Sequence, residues 1–149
     1  MSLEQIVNEQ MKEAMKSGDK VRLDTVRMLR AAIIEFNKSG AALPMSAEDE
    51  QKILMNAAKK RRDAIEMYRN AGRADLLEKE EAELAIIMSF LPKQLSEQEI
   101  EQEIQAIIGQ TGANGPQDMG KVMGPAMKSL RGRAEGALVQ TVVKRLLGA

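Results

Sequence analysis

Apolar residues recur at steps of three and four along nearly the whole chain, and no segment alternates convincingly with a period of two. Three-four spacing stacks side chains on one face of an α-helix, whereas a strand needs alternation. The spacing therefore predicts an all-α protein. Leu3, Ile6, Val7, Met11 and Ala14 trace a first helix, broken at Ser17-Gly18-Asp19. Leu23, Val26, Leu29, Ile33 and Phe36 trace a second, ending before Ser39-Gly40. Ile53, Leu54, Ala57, Ala58, Arg61, Ile65 and Tyr68 mark one side of a long third helix, and Leu76, Leu77, Leu84, Ile87, Met88 and Leu91 a fourth. Pro92 disfavours helix at Leu91 and closes this half. Beyond it, Ile100, Ile104, Ile107 and Ile108 mark a fifth helix, Met119, Val122, Met123, Met127 and Leu130 a sixth, and Leu138, Val139, Val142, Val143, Leu146 and Leu147 a seventh.

Local signals place the ends. Asp19, Asp75, Ser46 with Asp49, and Ser96 with Glu99 read as helix starts, because a short oxygen-bearing side chain can accept from the first free amides. Gly72 reads as the stop of the third helix, and residues 109–116, with three glycines, read as a loop. The joint at Pro92-Lys93-Gln94-Leu95 divides the chain into two helical-bundle domains, 1–92 with about four helices and 93–149 with about three. A core can be built here with only three aromatic residues, Phe36, Tyr68 and Phe90, because aliphatic and Met side chains suit helix.

Several chemistries lack their residues. The chain has no cysteine and no histidine, which removes the thiol nucleophile, the thiolate metal site, and the commonest general base and metal ligand. There is no phosphate-loop or nucleophile-elbow motif. A buried lysine or a carboxylate pair stays invisible at this level. No catalytic residue, metal or cofactor is expected. Glu78, Glu80, Glu81 and Glu83 read as solvated acids near a helix start rather than as a metal cluster. No apolar run reaches the roughly 18 residues of a membrane span, and no leader-like stretch opens the chain, so no membrane partner and a cytoplasmic location are expected.

Binding is the remaining role. Lys59-Lys60-Arg61-Arg62 is the densest basic run, but four consecutive residues fan around a helix and read as a solvated face rather than a phosphate-binding patch. The total charge is balanced, 22 basic against 22 acidic, yet it is segregated. Residues 116–149 hold six basic and two acidic residues, and residues 93–115 hold one basic and four acidic. The basic set is Lys121, Lys128, Arg131, Arg133, Lys144 and Arg145. Arg131-Gly132-Arg133 falls at a helix-to-helix turn, where a glycine lets backbone amides and two guanidinium groups approach a phosphate. The same pattern also suits an ordinary glycine helix stop with solvated arginines. Met119, Met123 and Met127 suit a partner-binding stripe, but more simply a core face.

Four motifs occur in order: Tyr68-Arg69-Asn70-Ala71-Gly72-Arg73-Ala74-Asp75-Leu76, Phe90-Leu91-Pro92-Lys93-Gln94-Leu95, Asp118-Met119-Gly120-Lys121-Val122-Met123-Gly124 and Gly132-Arg133-Ala134-Glu135-Gly136. Together they resemble the YqeY family of small bacterial proteins. That family is similar to the C-terminal tail of the B subunit of the tRNA-dependent amidotransferase. The resemblance implies a larger N-terminal bundle and a three-helix C-terminal domain with a tRNA-contacting role, carried over as candidates to Lys121, Gly124, Gly132 and Arg133. With the basic set above, the candidate RNA-binding residues are Lys121, Gly124, Lys128, Arg131, Gly132, Arg133, Lys144 and Arg145, and the expected partner is tRNA or another structured RNA. A protein-interaction adaptor is the alternative. Family descriptions as a carbon–nitrogen ligase with glutamine as amide donor read as inheritance from the full enzyme. Nothing in the residues specifies an oligomeric state. Three positions depart from the family pattern: Phe90 for the usual Tyr, Glu135 for Asp, and Pro125, which either bends the sixth helix or opens it near Gly124.

Overall fold

The structure, a computed structural model, describes residues 1–148. Among the described residues there are seven α-helices and no strand: α1 Leu3–Ser17, α2 Lys20–Lys38, α3 Ala47–Asn70, α4 Ala74–Met88, α5 Glu97–Thr111, α6 Met119–Leu130 and α7 Gly136–Leu146, with a 3-10 turn at Pro116–Asp118 leading into α6. The all-α expectation holds. The chain forms two compact units, Met1–Leu91 and Pro92–Ala149.

The first unit is two helical hairpins, α1 with α2 and α3 with α4, joined because α2 also packs on α3 and α4. Leu3, Val7, Val26, Leu29, Ile33, Leu54, Ala58, Ile87 and Leu91 form its core. In the second unit α5, α6 and α7 each pack on the other two. Its core includes Ile100, Ile104, Val122, Ala126, Leu130, Val139, Val142 and Val143, with Met119, Met123 and Met127 packed against it. The methionine stripe is therefore a core face.

Serine caps set three helix starts. Ser2, Ser46 and Ser96 each accept from the amide three residues on, while Gln5, Asp49 and Glu99 reach back to the cap amide. Ser46 donates its hydroxyl to Asp49 as well, and these bonds hold the Asp49 carboxyl below its ordinary value. Ser96→Ala is expected to cost about 1 kcal/mol, read as a lower urea midpoint for the second unit.

The structure differs from the sequence reading at two helix ends and decides between the two alternatives for Pro125. Asp75 does not cap α4; Arg73 stands at the cap position with no side-chain bond to the helix amides, and Asp75 sits in the first turn. The Arg73 guanidinium hydrogen-bonds the Asp75 carboxyl and lowers its pKa. Residues 109–111 are helical rather than loop: α5 runs on to Thr111, and only Gly112, at φ +69°, turns the chain out. A helix ends where φ becomes positive, not wherever glycine occurs. Pro125 lies inside α6, which starts at Met119 and not near Gly124. Proline lacks the amide that would bond the Lys121 carbonyl, so α6 is held by its buried face, Val122, Ala126 and Leu130, more than by an unbroken ladder.

The basic run on α3 also resolves. Lys59 and Lys60 are exposed, whereas Arg61 and Arg62 are half-buried. Arg61 Nη1 meets Glu80 at 3.4 Å, and Arg61 Nε lies 3.1 Å from Glu83. The Nε–H does not point at that carboxylate, so the second contact is an ion pair without a hydrogen bond. Arg61 Nη2 also touches the Met28 sulfur. Glu80 and Glu83 thus serve Arg61, and Glu81 pairs with Arg69 at 3.7 Å. Among the described residues no group of three or more potential ligands converges on a metal position.

Candidate nucleic-acid interface

The candidate residues all fall in the second unit, on α6, on α7 and on the turn between them. Lys121, Gly124 and Lys128 share one exposed side of α6, because steps of three and four residues bring them onto one face. A β-carbon added at Gly124 would meet nothing within 4 Å, so packing within the chain does not require the glycine. Lys121 reaches back to Asp118 at 3.4 Å, and Lys128 is exposed in the last turn. Lys144 and Arg145 are exposed in the last turn of α7, the end that favours cations.

The Arg131-Gly132-Arg133 turn is built from the backbone upward. Gly132 is buried at φ +77°, a conformation a side chain would strain. The amides of Arg133 and Ala134 both donate to the Leu130 carbonyl, at 2.9 and 3.0 Å, and so satisfy the end of α6. Those two amides are spent on the helix stop. Neither amide is therefore available to a phosphate at this turn.

Acids missed by the sequence reading restrain the arginines. Arg133 Nη2 donates to Glu103 at 3.0 Å and to the Ser129 carbonyl at 2.9 Å. Arg145 pairs with Glu97 at 3.4 Å and with Glu101 at 3.1 Å. The acidic segment and the basic segment, separate in sequence, are therefore folded against one another. The i, i+4 spacing of Glu97 and Glu101 placed them on one face of α5, but only the packing of α7 shows what they meet. The Arg145 pairs lie at the surface and are worth roughly 0–1 kcal/mol each, whereas Arg133 and Glu103 are both half-buried.

The arrangement pairs Lys121, Arg133 and Arg145 with nearby acids and leaves Lys128 and Lys144 exposed. No helix among the described residues is long and apolar enough to cross a membrane.

Comparison with known proteins gives relatives of three kinds. The chain is 32% identical over 144 residues to a Pyrenophora tritici-repentis protein named altered inheritance of mitochondria protein 41, mitochondrial, covering 93% of this chain and 77% of that one. It is 33% identical over 96 residues to an uncharacterised Schizosaccharomyces pombe protein, covering 64% of this chain and 76% of the other. A stretch of 55 residues, 34% of this chain but 9% of the relative, is 47% identical to the E subunit of glutamyl-tRNA(Gln) amidotransferase from Thermococcus gammatolerans. The family described as Yqey-like protein matches residues 4–147, nearly the full length, and the chain belongs to that YqeY family.

Proposed function

We propose that this protein is an RNA-binding accessory factor of tRNA-dependent amidation, without catalysis of its own, and that tRNA or a similarly structured RNA is its ligand. The observation that carries this reading is the 47% identity, over 55 residues, to one component of an enzyme named for glutamyl-tRNA(Gln). The candidate residues for that ligand are Lys121, Lys128, Arg131, Arg133, Lys144 and Arg145 of the second unit. We take the cytoplasm as the compartment on the strength of the RNA ligand, and fractionation of cells carrying a tagged chain checks it.

Binding should be weak and electrostatic, because Glu97, Glu101 and Glu103 offset part of the basic charge. Neutralising three or four phosphates would give a slope of about −3 in log affinity against log salt. Gel shifts with tRNA at low and moderate salt measure this. Arg131→Ala with Arg133→Ala is expected to weaken binding roughly tenfold or more. Undiminished binding in that double variant, or binding insensitive to salt, counts against the reading.

A second reading, a protein adaptor of the amidotransferase, has one observation in its favour. The first unit has a cavity of about 170 Å³ between α2 and α3, lined by Met28, Leu29, Ala32, Ile53, Ala57 and Lys60 among others. Partners recovered equally before and after nuclease treatment favour the adaptor. Glutaminase or transamidation activity from the purified chain alone would favour a carbon–nitrogen ligase; none is expected.

A further inference from the structure

Residues 92–95 lie against the Arg131-Gly132-Arg133 turn. Gln94 Nε2 donates to the Gly132 carbonyl at 2.8 Å, and the Leu95 amide donates to the Arg133 carbonyl at 2.8 Å. The same Nε2 donates to the Pro92 carbonyl, two residues back, at 2.9 Å. A primary amide has the two N–H groups this double contact needs. The bond to Pro92 closes a tight bend with Lys93 at its apex. Lys93 is exposed, whereas Gln94 and Leu95 are half-buried and Leu95 packs on the core of the second unit.

This clasp fixes where Lys93 can be. Two residues of chain span at most about 7 Å, so the Lys93 backbone stays within that distance of Leu95, whose amide bonds Arg133. The backbone that bears this third cation is thereby held close to the backbone of the turn that bears the two arginines. Arg133 is anchored by Glu103 and the Ser129 carbonyl. Lys93 lies outside any helix and owes its position to Gln94. We propose that Lys93 is a further phosphate-binding residue of the second unit, and that Gln94 is the positioning residue that presents it. This rests on the RNA reading above and names residues that reading does not include.

The test is anisotropy of a fluorescein-labelled tRNA titrated with the full chain across a salt series. Lys93→Gln is expected to weaken binding roughly three- to tenfold and to reduce the salt slope by about one. Gln94→Ala, which removes no charge, should weaken binding in the same direction. If Gln94 acts through Lys93, the double variant binds no more weakly than the weaker single variant. Lys38→Gln, an exposed lysine of the first unit, should bind like the parent. Saturating tRNA should also slow tryptic cleavage after Lys93 in the parent, a readout that requires no variant to fold. Additive losses overturn the role of Gln94. Parent-like affinity and slope in Lys93→Gln, with the parent binding tRNA, overturn the role of Lys93 alone. Failure of the parent to bind tRNA overturns the RNA reading and this inference with it.

Discussion

Ile104→Ala is expected to unfold the second unit and leave the first one folded. Ile104 is fully buried at the middle of α5, in a cluster supplied by α6 and α7. Truncating it removes the transfer free energy of the lost methyl and methylene groups and leaves a cavity, together about 2–5 kcal/mol. A unit below about 70–80 residues gains only roughly 3–5 kcal/mol from a single core, so the loss matches the whole stability. The first unit is built on its own cluster and shares no buried residue with this one. The helices of the second unit contain 15, 12 and 11 residues against 15, 19, 24 and 15 in the first, so about a third of the helical circular dichroism should disappear at room temperature. Ile104→Val, which loses one carbon, should cost only about 0.5–1.5 kcal/mol. Loss of all the helical signal in one transition would show that the two units do not fold independently.

Arg61→Ala should cost the first unit a comparable amount. It removes the countercharge of Glu83, whose side chain is only 9% exposed, and of Glu80 at 15%. Breaking a buried ion pair from one side costs roughly 3–5 kcal/mol, because the remaining charge is left desolvated. Replacing the more buried pair, Arg61→Met with Glu83→Leu, should recover part of the loss, since apolar groups of similar size avoid the desolvation of that pair while Glu80 loses its cation. Urea melts of the single and double variants make the comparison.

Glu83 also gives the stability a pH dependence of unusual sign. Burial raises its carboxyl pKa above the ordinary value of 4.5; Arg61 offsets part of that, and Glu80 adds to it. The folded state then binds the proton more tightly than the unfolded state. Between 4.5 and the raised native value, stability falls as pH rises, and the penalty is fully present above that window. Asp49 and Asp75 act the other way: their stabilisation is present above 3.8 and fades as pH falls through their lowered native values. Glu83→Gln should flatten the descending limb of urea stability as pH rises above 4.5. An unchanged limb would remove Glu83 as its source.

The helices were legible in the sequence because periodicity and caps are local. Ser96 and Glu99 lie three residues apart, and their reciprocal bonds need nothing from the rest of the chain. The misplaced ends were decided by backbone angle or by packing. Three glycines between residues 109 and 115 look alike as letters, but only Gly112 takes a positive φ. Pro125 stays inside α6 because Val122, Ala126 and Leu130 bury a face that spans it. The candidate interface was legible as a count of charges and not as a surface. Arg133 and Glu103 are thirty residues apart, and Arg145 and Glu101 forty-four, so their pairing depends on how three helices pack. Arg61 left a partial trace: a cation among Leu54, Ala58 and Ile65 on a buried stripe calls for a buried acid, and Glu83, one turn before Ile87, occupies the matching stripe of α4.

The core of the first unit also bears on how the chain is made. Leu3 and Val7 share a cluster with Ile87 and Leu91, from opposite ends of the unit. On a ribosome adding about 5–20 residues each second, the leading helix would wait several seconds for the segment that completes its shelter. During that interval Leu3, Val7, Val26, Leu29 and Ile33 would be accessible to chaperones. Nascent chains stalled before residue 87 should therefore remain protease-sensitive on the ribosome, and resistance should set in abruptly once Leu91 has cleared the exit tunnel.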